Sequence, residues 1–211
     1  ANGWFNMSDF LKVNGDDGIW MLTDQNKSID NVTLTGTWYY AADAGLNDDL
    51  NILWGDAKTS IAGLNVAVQG GTITGAAEDT TSFGAKVGGT FGGFDASVSY
   101  STVDDGTVRI ENIIGNTMPK SPLYTQMVLN NIGNQIGTDN NTWVFRAGTE
   151  ALGGNIGVAY GMTEDNANAN SDYNEFDLTY KTKISENTTV FAAYVYQDDE
   201  AQADENNFLR F

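Results

Sequence analysis

The stretch from residue 82 to residue 103, SFGAKVGGTFGGFDASVSYSTV, alternates between two kinds of side chain. Up to Phe91 the odd-numbered residues are apolar or small and the even-numbered ones are small, polar or charged; from Phe94 onward the apolar residues are even-numbered. A period of two residues is typical of a β-strand, and Gly92-Gly93 supplies the positive φ angles of a tight hairpin. The stretch therefore predicts a hairpin with one apolar and one polar face, as in a transmembrane β-barrel.

The same alternation recurs along the chain and predicts ten strands. They are 31–41, 50–59, 64–74, 82–91, 94–103, 142–151, 155–163, 173–184, 188–197 and 205–211. Most have close to the ten or so residues that a tilted strand needs to cross the hydrocarbon layer. Upstream, Gly18–Thr23 is compatible with the end of a further strand and Asp24–Ser28 with a turn.

The connections between these strands alternate strictly in length. The long ones are 42–49, 75–81, 104–141, 164–172 and 198–204, and the short ones are 60–63, 92–93, 152–154 and 185–187. Each long connection carries acidic residues. Outer-membrane barrels have short turns on one side and long loops on the other. A soluble β-sandwich has no reason to sort its loops in this way, so the barrel is favoured and the sandwich stays the alternative.

Composition excludes several classes of function. The chain carries 10 Lys and Arg against 28 Asp and Glu, a net charge of −18, which repels nucleic acid and attracts cations. Histidine and cysteine are absent. Their absence removes Ser-His-Asp catalysis and the usual zinc ligands, so an outer-membrane enzyme is the least expected class. The chain contains no run of 18 apolar residues, which is the length that would predict a membrane-spanning helix.

Aromatic residues lie toward the ends of the predicted strands, which indicates girdles at the two membrane interfaces. They are Trp38, Tyr40, Trp54, Phe83, Phe91, Phe94, Trp143, Tyr173, Phe176, Tyr194 and Tyr196. In strand 188–197 both faces are largely apolar, so the pattern leaves open whether Phe191 or Tyr194 contacts lipid.

Charged residues at positions i, i+2 or i+4 on the other strand face are candidates for the wall of a water-filled pore. They are Asp56, Lys58, Lys86, Asp95, Arg146, Glu150, Asp177 and Lys181, with Glu175, Lys183 and Arg210 as further members. Charges of both signs there would set up a field across a constriction. The alternative is that charges at strand ends lie among lipid headgroups.

The connection 104–141 is far longer than any other and holds both prolines, Pro119 and Pro122. It contains nine aliphatic or methionine side chains from Val108 to Leu129 and is too apolar for a solvated tail. Long loops in a compact fold are usually functional. This one is expected to fold into the barrel mouth or against a neighbouring subunit.

Several segments together resemble the C-terminal half of the epsilonproteobacterial major outer-membrane porins. They are GLNVAVQGG, GGFDASVSY, TVRIENIIGN and the stretch from Phe176 to Arg210, and the resemblance covers about Val32 to Phe211. It implies an all-β, transmembrane antiparallel β-barrel, with about ten strands in this chain forming part of a 16–18-stranded porin. Residues 1–211 would then be a single barrel domain that lacks the early strands, and Phe211 is either the terminus or an interior residue.

The same resemblance implies a function: a general diffusion porin that prefers cations and passes ions and small hydrophilic solutes across the outer membrane of a Gram-negative bacterium. It implies a homotrimer in contact with lipid and lipopolysaccharide. The alternative is a structural or adhesive surface protein that uses the barrel as an anchor. No cofactor is required, but Ca²⁺ is possible, because Glu111 in RIEN falls where the family has a calcium-ligating glutamate. Asp104 and Asp105 are the other candidate ligands in this chain.

Overall fold

The computed structural model describes residues 14, 17–44, 48–108, 110–112, 117–128, 137, 139–168, 171–200 and 205–210. Eleven antiparallel strands form one sheet in the order β1-β2-β3-β4-β5-β6-β9-β10-β11-β12-β13, and β7 and β8 form a small second sheet. The strands are β1 (Trp20–Asn26), β2 (Val32–Ala41), β3 (Leu50–Ile61), β4 (Leu64–Thr74), β5 (Thr80–Phe91), β6 (Phe94–Val103), β7 (Ile110–Asn112), β8 (Thr117–Lys120), β9 (Asn140–Ala151), β10 (Gly154–Asp165), β11 (Tyr173–Ser185), β12 (Thr188–Asp199) and β13 (Asn206–Arg210). No described helix has the length and apolarity to span a membrane.

The ten predicted strands are confirmed as β2–β6 and β9–β13, with ends that shift by a few residues. The turn predicted at Asp24–Ser28 is wrong in its first half, because β1 continues to Asn26, which pairs with Leu34 of β2. The hairpin of β7 and β8 inside the long connection was not predicted. Phe211 lies outside the described residues.

Two-residue turns close three of the hairpins at the same end of the sheet. Their residues all have positive φ angles: Ala62 and Gly63 (52° and 83°), Gly92 and Gly93 (58° and 87°), and Leu152 and Gly153 (54° and 75°). Two consecutive positive φ values define the type I′ turn, whose twist matches that of the flanking strands. The predicted alternation of short and long connections is therefore confirmed, with the short turns together at one end.

The register sorts the side chains onto two faces. Residues paired directly across an antiparallel ladder lie on the same face. One row across the sheet reads Val66, Val87, Val98, Phe145, Tyr160, Phe176 and Tyr196. The row beside it reads Lys58, Ala67, Lys86, Ser99, Val144, Gly161, Glu175 and Gln197. We call the surfaces that carry these rows the apolar face and the polar face.

Large hydrophobic side chains of the apolar face are exposed, among them Leu53 (60%), Phe83 (47%), Phe91 (56%), Phe94 (58%) and Trp143 (46%). Soluble monomers rarely expose a continuous apolar surface of this extent, whereas a lipid-facing barrel wall does. The alternatives that the sequence left open for β12 are resolved, because Tyr194 pairs with Leu178 on the apolar face and Phe191 pairs with Lys181 on the polar face.

Two of the expected girdle aromatics lie on the polar face instead. Trp54 pairs with Gly71 and shares the parity of Asp56, and it packs against buried Val103, Val108 and Leu123. Tyr173 is buried, and its hydroxyl donates to Glu175 Oε2 at 2.7 Å. The interface assignment is therefore wrong for these two residues, since each contacts the protein's own interior surface.

The closure that a free-standing ten-stranded barrel requires is not formed among the described residues. It would pair the segment 31–41 with 205–211, but β2 pairs with β1 and β3, and β13 pairs with β12. The described sheet is open, with β1 and β13 at its edges.

We predict that Ala62→Gly stabilises the protein by about 1 kcal/mol, because the alanine Cβ at φ 52° is close to the following carbonyl and glycine removes that clash. The measurement is the free energy of unfolding in urea with detergent or lipid present. Ala57→Gly is the control, in the middle of β3, where glycine should destabilise by about 0.5–1 kcal/mol. If both variants lose the same free energy of unfolding, the backbone at Ala62 is not strained.

Candidate functional site

The polar face carries every charged residue that the sequence predicted for a pore wall. The register places on it Asp56, Lys58, Lys86, Asp95, Arg146, Glu150, Asp177 and Lys181, together with Glu175, Lys183 and Arg210. They share one face because each strand contributes its alternate residues in a continuous register. That this face lines a pore stays a prediction.

These charges differ in their environments. Lys58, Asp95, Glu150 and Lys181 are exposed, whereas Glu175 and Asp177 are 0% and 3% exposed. Lys58 Nζ lies 2.8 Å from Asp56 Oδ1, an ion pair between an exposed and a half-buried side chain. Exposed pairs of this kind contribute little to stability. The fully buried members of this set therefore both lie on β11.

Part of the long connection lies against this face. In Ser121–Val128, which we call the crossing segment, the odd-numbered residues are all buried: Ser121, Leu123, Thr125 and Met127. Alternate residues of the segment therefore face the sheet. Its backbone turns within it, where the Gln126 N–H donates to Leu123 O at 3.1 Å. Two of the apolar residues that the sequence singled out in this connection, Leu123 and Met127, are among the buried residues and pack on the sheet.

Three strands hold the crossing segment by hydrogen bonds. On β9 the Arg146 guanidinium donates from Nη1 to Tyr124 O at 3.1 Å and from Nη2 to Gln126 O. On β11, Asp177 Oδ2 accepts from the Val128 N–H at 3.1 Å. On β6, the hydroxyls of Ser101 and Thr125 are 2.7 Å apart. Arg146 and Asp177 thus bind backbone groups of opposite polarity, carbonyls in one case and an N–H in the other.

Packing holds the same segment between and beside these bonds. A Cβ on Gly161 of β10 would overlap the Met127 sulfur, so the glycine forms the seat in which Met127 lies. At the other end, Leu123 packs with Val103, Val108 and Trp54. The start of the connection is also fixed, because Thr80 Oγ1 donates to Asp105 O. The segment therefore contacts β3, β6, β9, β10 and β11.

The candidate calcium ligands are not brought together by the described residues. Asp104 and Asp105 are exposed, and the side chain of Glu111, on β7, lies outside what the structure describes. No described group of three or more carboxylates is placed to hold a metal ion. Calcium takes six or more oxygen ligands, so the described set does not fit it, and the site stays a prediction from the resemblance.

Several residues of this arrangement were not singled out from the sequence. Ser101, Thr125 and Gly161 carry no charge, and their role comes from contacts between elements 24 residues apart or more. The apolar character of the long connection was the available signal that it packs on something. Nothing in the pattern said which of its residues meet which strand.

Comparison with known proteins comes from sequence and from structure. A family model described as Gram-negative porin matches residues 2–202. No curated protein sequence matches the chain. Solved structures similar to it include OpdO of Pseudomonas aeruginosa, at 11% identity and a TM-score of 0.69 over 92% of this chain and 56% of that one.

Two further structures are similar. OccK8 (OprE) of Pseudomonas aeruginosa is 13% identical with a TM-score of 0.70 over 90% of this chain and 55% of that one. An anion-selective porin from Comamonas acidovorans is 14% identical with a TM-score of 0.55 over 85% and 48%. At these identities the likeness shows the fold alone. The chain spans about half the length of the porins that it matches.

We predict that Gly161→Ala destabilises the protein by about 1–3 kcal/mol, because the added methyl group displaces Met127 from its seat. It should also speed cleavage by trypsin after Lys120, immediately before the crossing segment, since that segment is held less tightly. Thermal unfolding in detergent and limited proteolysis are the measurements. Gly36→Ala is the control, because a Cβ there meets nothing within 4 Å. If both variants behave alike, the seat has no role in holding the segment.

Proposed function

The chain belongs to the Gram-negative porin family, and from that membership we propose that it forms part of a general diffusion porin. Such a protein is a water-filled channel for ions and small hydrophilic solutes. It is located in the outer membrane of a Gram-negative bacterium. The family and fold imply a channel rather than an enzyme.

The observation that carries the proposal is the separation of the two faces across eleven strands. The apolar face presents exposed aromatic and aliphatic side chains to lipid, and the polar face presents charges, hydroxyls and glycines to the opposite side. When such a sheet curves into a barrel with lipid outside, its polar face encloses water. The charged residues from Asp56 to Lys181 then line the channel.

We further propose that the barrel is wider than the described sheet, with 16–18 strands in all. The open edges at β1 and β13 and the length of the similar porins support this. In a barrel of that size the crossing segment would lie inside the pore and narrow it. Its hydrogen bonds to β6, β9 and β11 would then fix the width of the narrowest passage.

The proposed ion preference is for cations. The chain has a net charge of −18, and acidic residues are concentrated in the long connections at one end of the sheet. A mouth lined with carboxylates raises the local concentration of cations. The finer resemblance to the epsilonproteobacterial major outer-membrane porins supports the same preference, and with it a homotrimer in contact with lipid and lipopolysaccharide.

A structural or adhesive surface protein that uses the barrel as an anchor is the second candidate. The observation that favours this candidate is that the crossing segment covers part of the polar face. If further chain filled the remaining lumen, the barrel would be closed to ions. Conductance therefore discriminates between the two candidates.

We predict that the protein extracted from outer membranes inserts into planar lipid bilayers and gives stepwise increases in conductance. In a gradient of KCl the reversal potential should show preference for K⁺, and the preference should fall as salt concentration rises, because salt screens the carboxylates at the mouth. Detergent without protein is the control. Absence of steps would favour the anchor, whereas steps with preference for Cl⁻ would overturn only the cation preference.

Calcium binding at Glu111 is a separate proposal that rests on the resemblance. If it holds, Glu111→Gln should reduce the rise in thermal unfolding temperature that Ca²⁺ produces and should shift ion selectivity toward anions, with the barrel intact. Glu78→Gln, an exposed carboxylate in another long connection, is the control. Should Glu111→Gln match Glu78→Gln in both measurements, Glu111 is an ordinary solvated carboxylate.

A further inference from the structure

An asparagine stands at the start of four of the five strands that follow a long connection. These residues are Asn51 of β3, Asn141 of β9, Asn174 of β11 and Asn207 of β13, each the second residue of its strand. Strand β5 has Thr81 at the same place. By parity all four lie on the apolar face, two residues before Leu53, Trp143, Phe176 and Leu209. We call these four residues the asparagine row.

Each member of the row accepts a hydrogen bond from an aromatic side chain of the neighbouring strand. The Trp38 indole Nε1 donates to Asn51 Oδ1 at 3.4 Å, and the Tyr100 hydroxyl donates to Asn141 Oδ1 at 2.8 Å. The hydroxyls of Tyr160 and Tyr194 bond in the same way to Asn174 and Asn207. An indole N–H is only a donor, so the atom of Asn51 that it contacts must be the amide oxygen. The amide nitrogen is thereby left for another partner.

The amide nitrogens of the row have no acceptor in the part of the chain that the structure describes. Each Nδ2 carries two N–H donors. Asn51, Asn141 and Asn174 are half-buried and Asn207 is exposed, on the face that carries the exposed aromatic and aliphatic side chains. A donor without an acceptor is costly beside hydrocarbon. The surroundings of the protein must therefore supply the acceptors.

The position of the row along the strands places it at one boundary of the hydrocarbon layer. Asn51 and Ile61 stand near opposite ends of β3, as Asn174 and Ile184 do on β11. Ten residues of strand rise about 33 Å, which at a tilt of about 45° is about 23 Å across the membrane. The apolar band of an outer-membrane barrel is about 25 Å tall. Because Ile61 and Ile184 are exposed beside the short turns, the row lies at the opposite boundary, where acyl chains join lipid headgroups.

The charge around the row selects the kind of acceptor. An acidic residue stands two positions before each asparagine, and none of the four acids is buried: Asp49, Asp139, Asp172 and Glu205. Within the strands of the eleven-stranded sheet, the basic residues all lie on the polar face: Lys58, Lys86, Arg146, Lys181, Lys183 and Arg210. A phosphate at the row would meet carboxylates without a compensating cation from these strands. A neutral carbonyl oxygen is therefore the acceptor that suits the neutral amide donors.

We propose that the asparagine row binds outer-leaflet lipid through the carbonyl oxygens that link its acyl chains to the headgroup. Each asparagine bridges an aromatic side chain of the neighbouring strand and a lipid carbonyl. Four such bonds along one edge of the sheet fix its depth in the membrane. The inference rests on the outer-membrane location of the proposed channel and adds a binding surface on the face opposite the proposed pore wall.

The test is unfolding in urea of the protein extracted from outer membranes and returned to phosphatidylcholine vesicles, with EDTA present to remove divalent cations. One set of vesicles contains the ester-linked lipid, and the other its ether-linked analogue, which has the same phosphate but no carbonyl oxygen. Asn141→Leu should raise the unfolding equilibrium constant about fivefold more in the ester lipid than in the ether lipid, the effect of one lost hydrogen bond. Tyr100→Phe keeps the amide, so its effect should be the same in both lipids. If Asn141→Leu does not fold, Asn51→Leu with Trp38→Phe provides the same comparison on β2 and β3.

Asn155→Leu is the matched control, because it removes the same amide from an exposed position on the polar face, and its effect should not depend on the lipid. If Asn141→Leu and Tyr100→Phe have equal effects in each lipid, the amide serves only Tyr100 and the proposal is overturned. A loss for Asn141→Leu that is the same in ester and ether lipid would also overturn it, because the acceptor would then be phosphate or water. Conductance steps in planar bilayers are a separate measurement. Their absence in the unmodified protein would be a failure of the proposed channel function and not of the lipid contact.

Discussion

The constraint on which the rest of this structure depends is the register of the antiparallel ladder. Eleven strands pair so that alternate residues stay on one face from β1 to β13. A slip of one residue at any pair would carry a whole strand's charges to the apolar face and its aromatics to the polar face. On β11 such a slip would exchange Asp177 with Leu178. The tight turns at residues 62–63, 92–93 and 152–153 fix the register, because two-residue connections leave no slack.

The crossing segment adds a second requirement, because backbone that lies on a sheet face outside the ladder needs partners for its own polar groups. Part of that need falls on side chains of the polar face, where Arg146 donates to backbone carbonyls and Asp177 accepts from a backbone N–H. Charge-assisted bonds to backbone are stronger than neutral ones. The consequence is that some polar side chains of the polar face serve to hold the crossing segment in place. Because these hydrogen bonds fix the positions of the side chains, they also fix what each side chain contributes to the electrostatic field at the polar face.

The strands and their faces were predictable because a period of two is a local property. Phe83 and Lys86 are assigned to opposite faces by parity alone, and the register agrees. The end of β1 was missed because Asp24 and Asn26 carry no apolar signal, although their backbone continues the ladder to β2. Trp54 was placed at an interface by residue type, while its parity with Asp56 already indicated the polar face. The contacts of the crossing segment were beyond prediction, since Val128 meets Asp177 across 49 residues of sequence and no local pattern encodes such a pair.

The distribution of charge follows from the same architecture. It separates the acids of the long connections from the basic residues within the strands, a difference that the net charge alone does not show. The acids lie mostly in the long connections, whereas Lys86 and Arg146 lie well inside strands β5 and β9. In 0.1 M salt the screening length is about 10 Å, or roughly three residues along a strand. Lys86 is six residues from the start of β5 at Thr80, so carboxylates in the adjoining long connection are screened from it. A channel built on this sheet would therefore present a negative field to an ion at the mouth and a less negative one beside Lys86 and Arg146. Acids at the mouth and basic residues within the strands would then act on a passing ion at different depths.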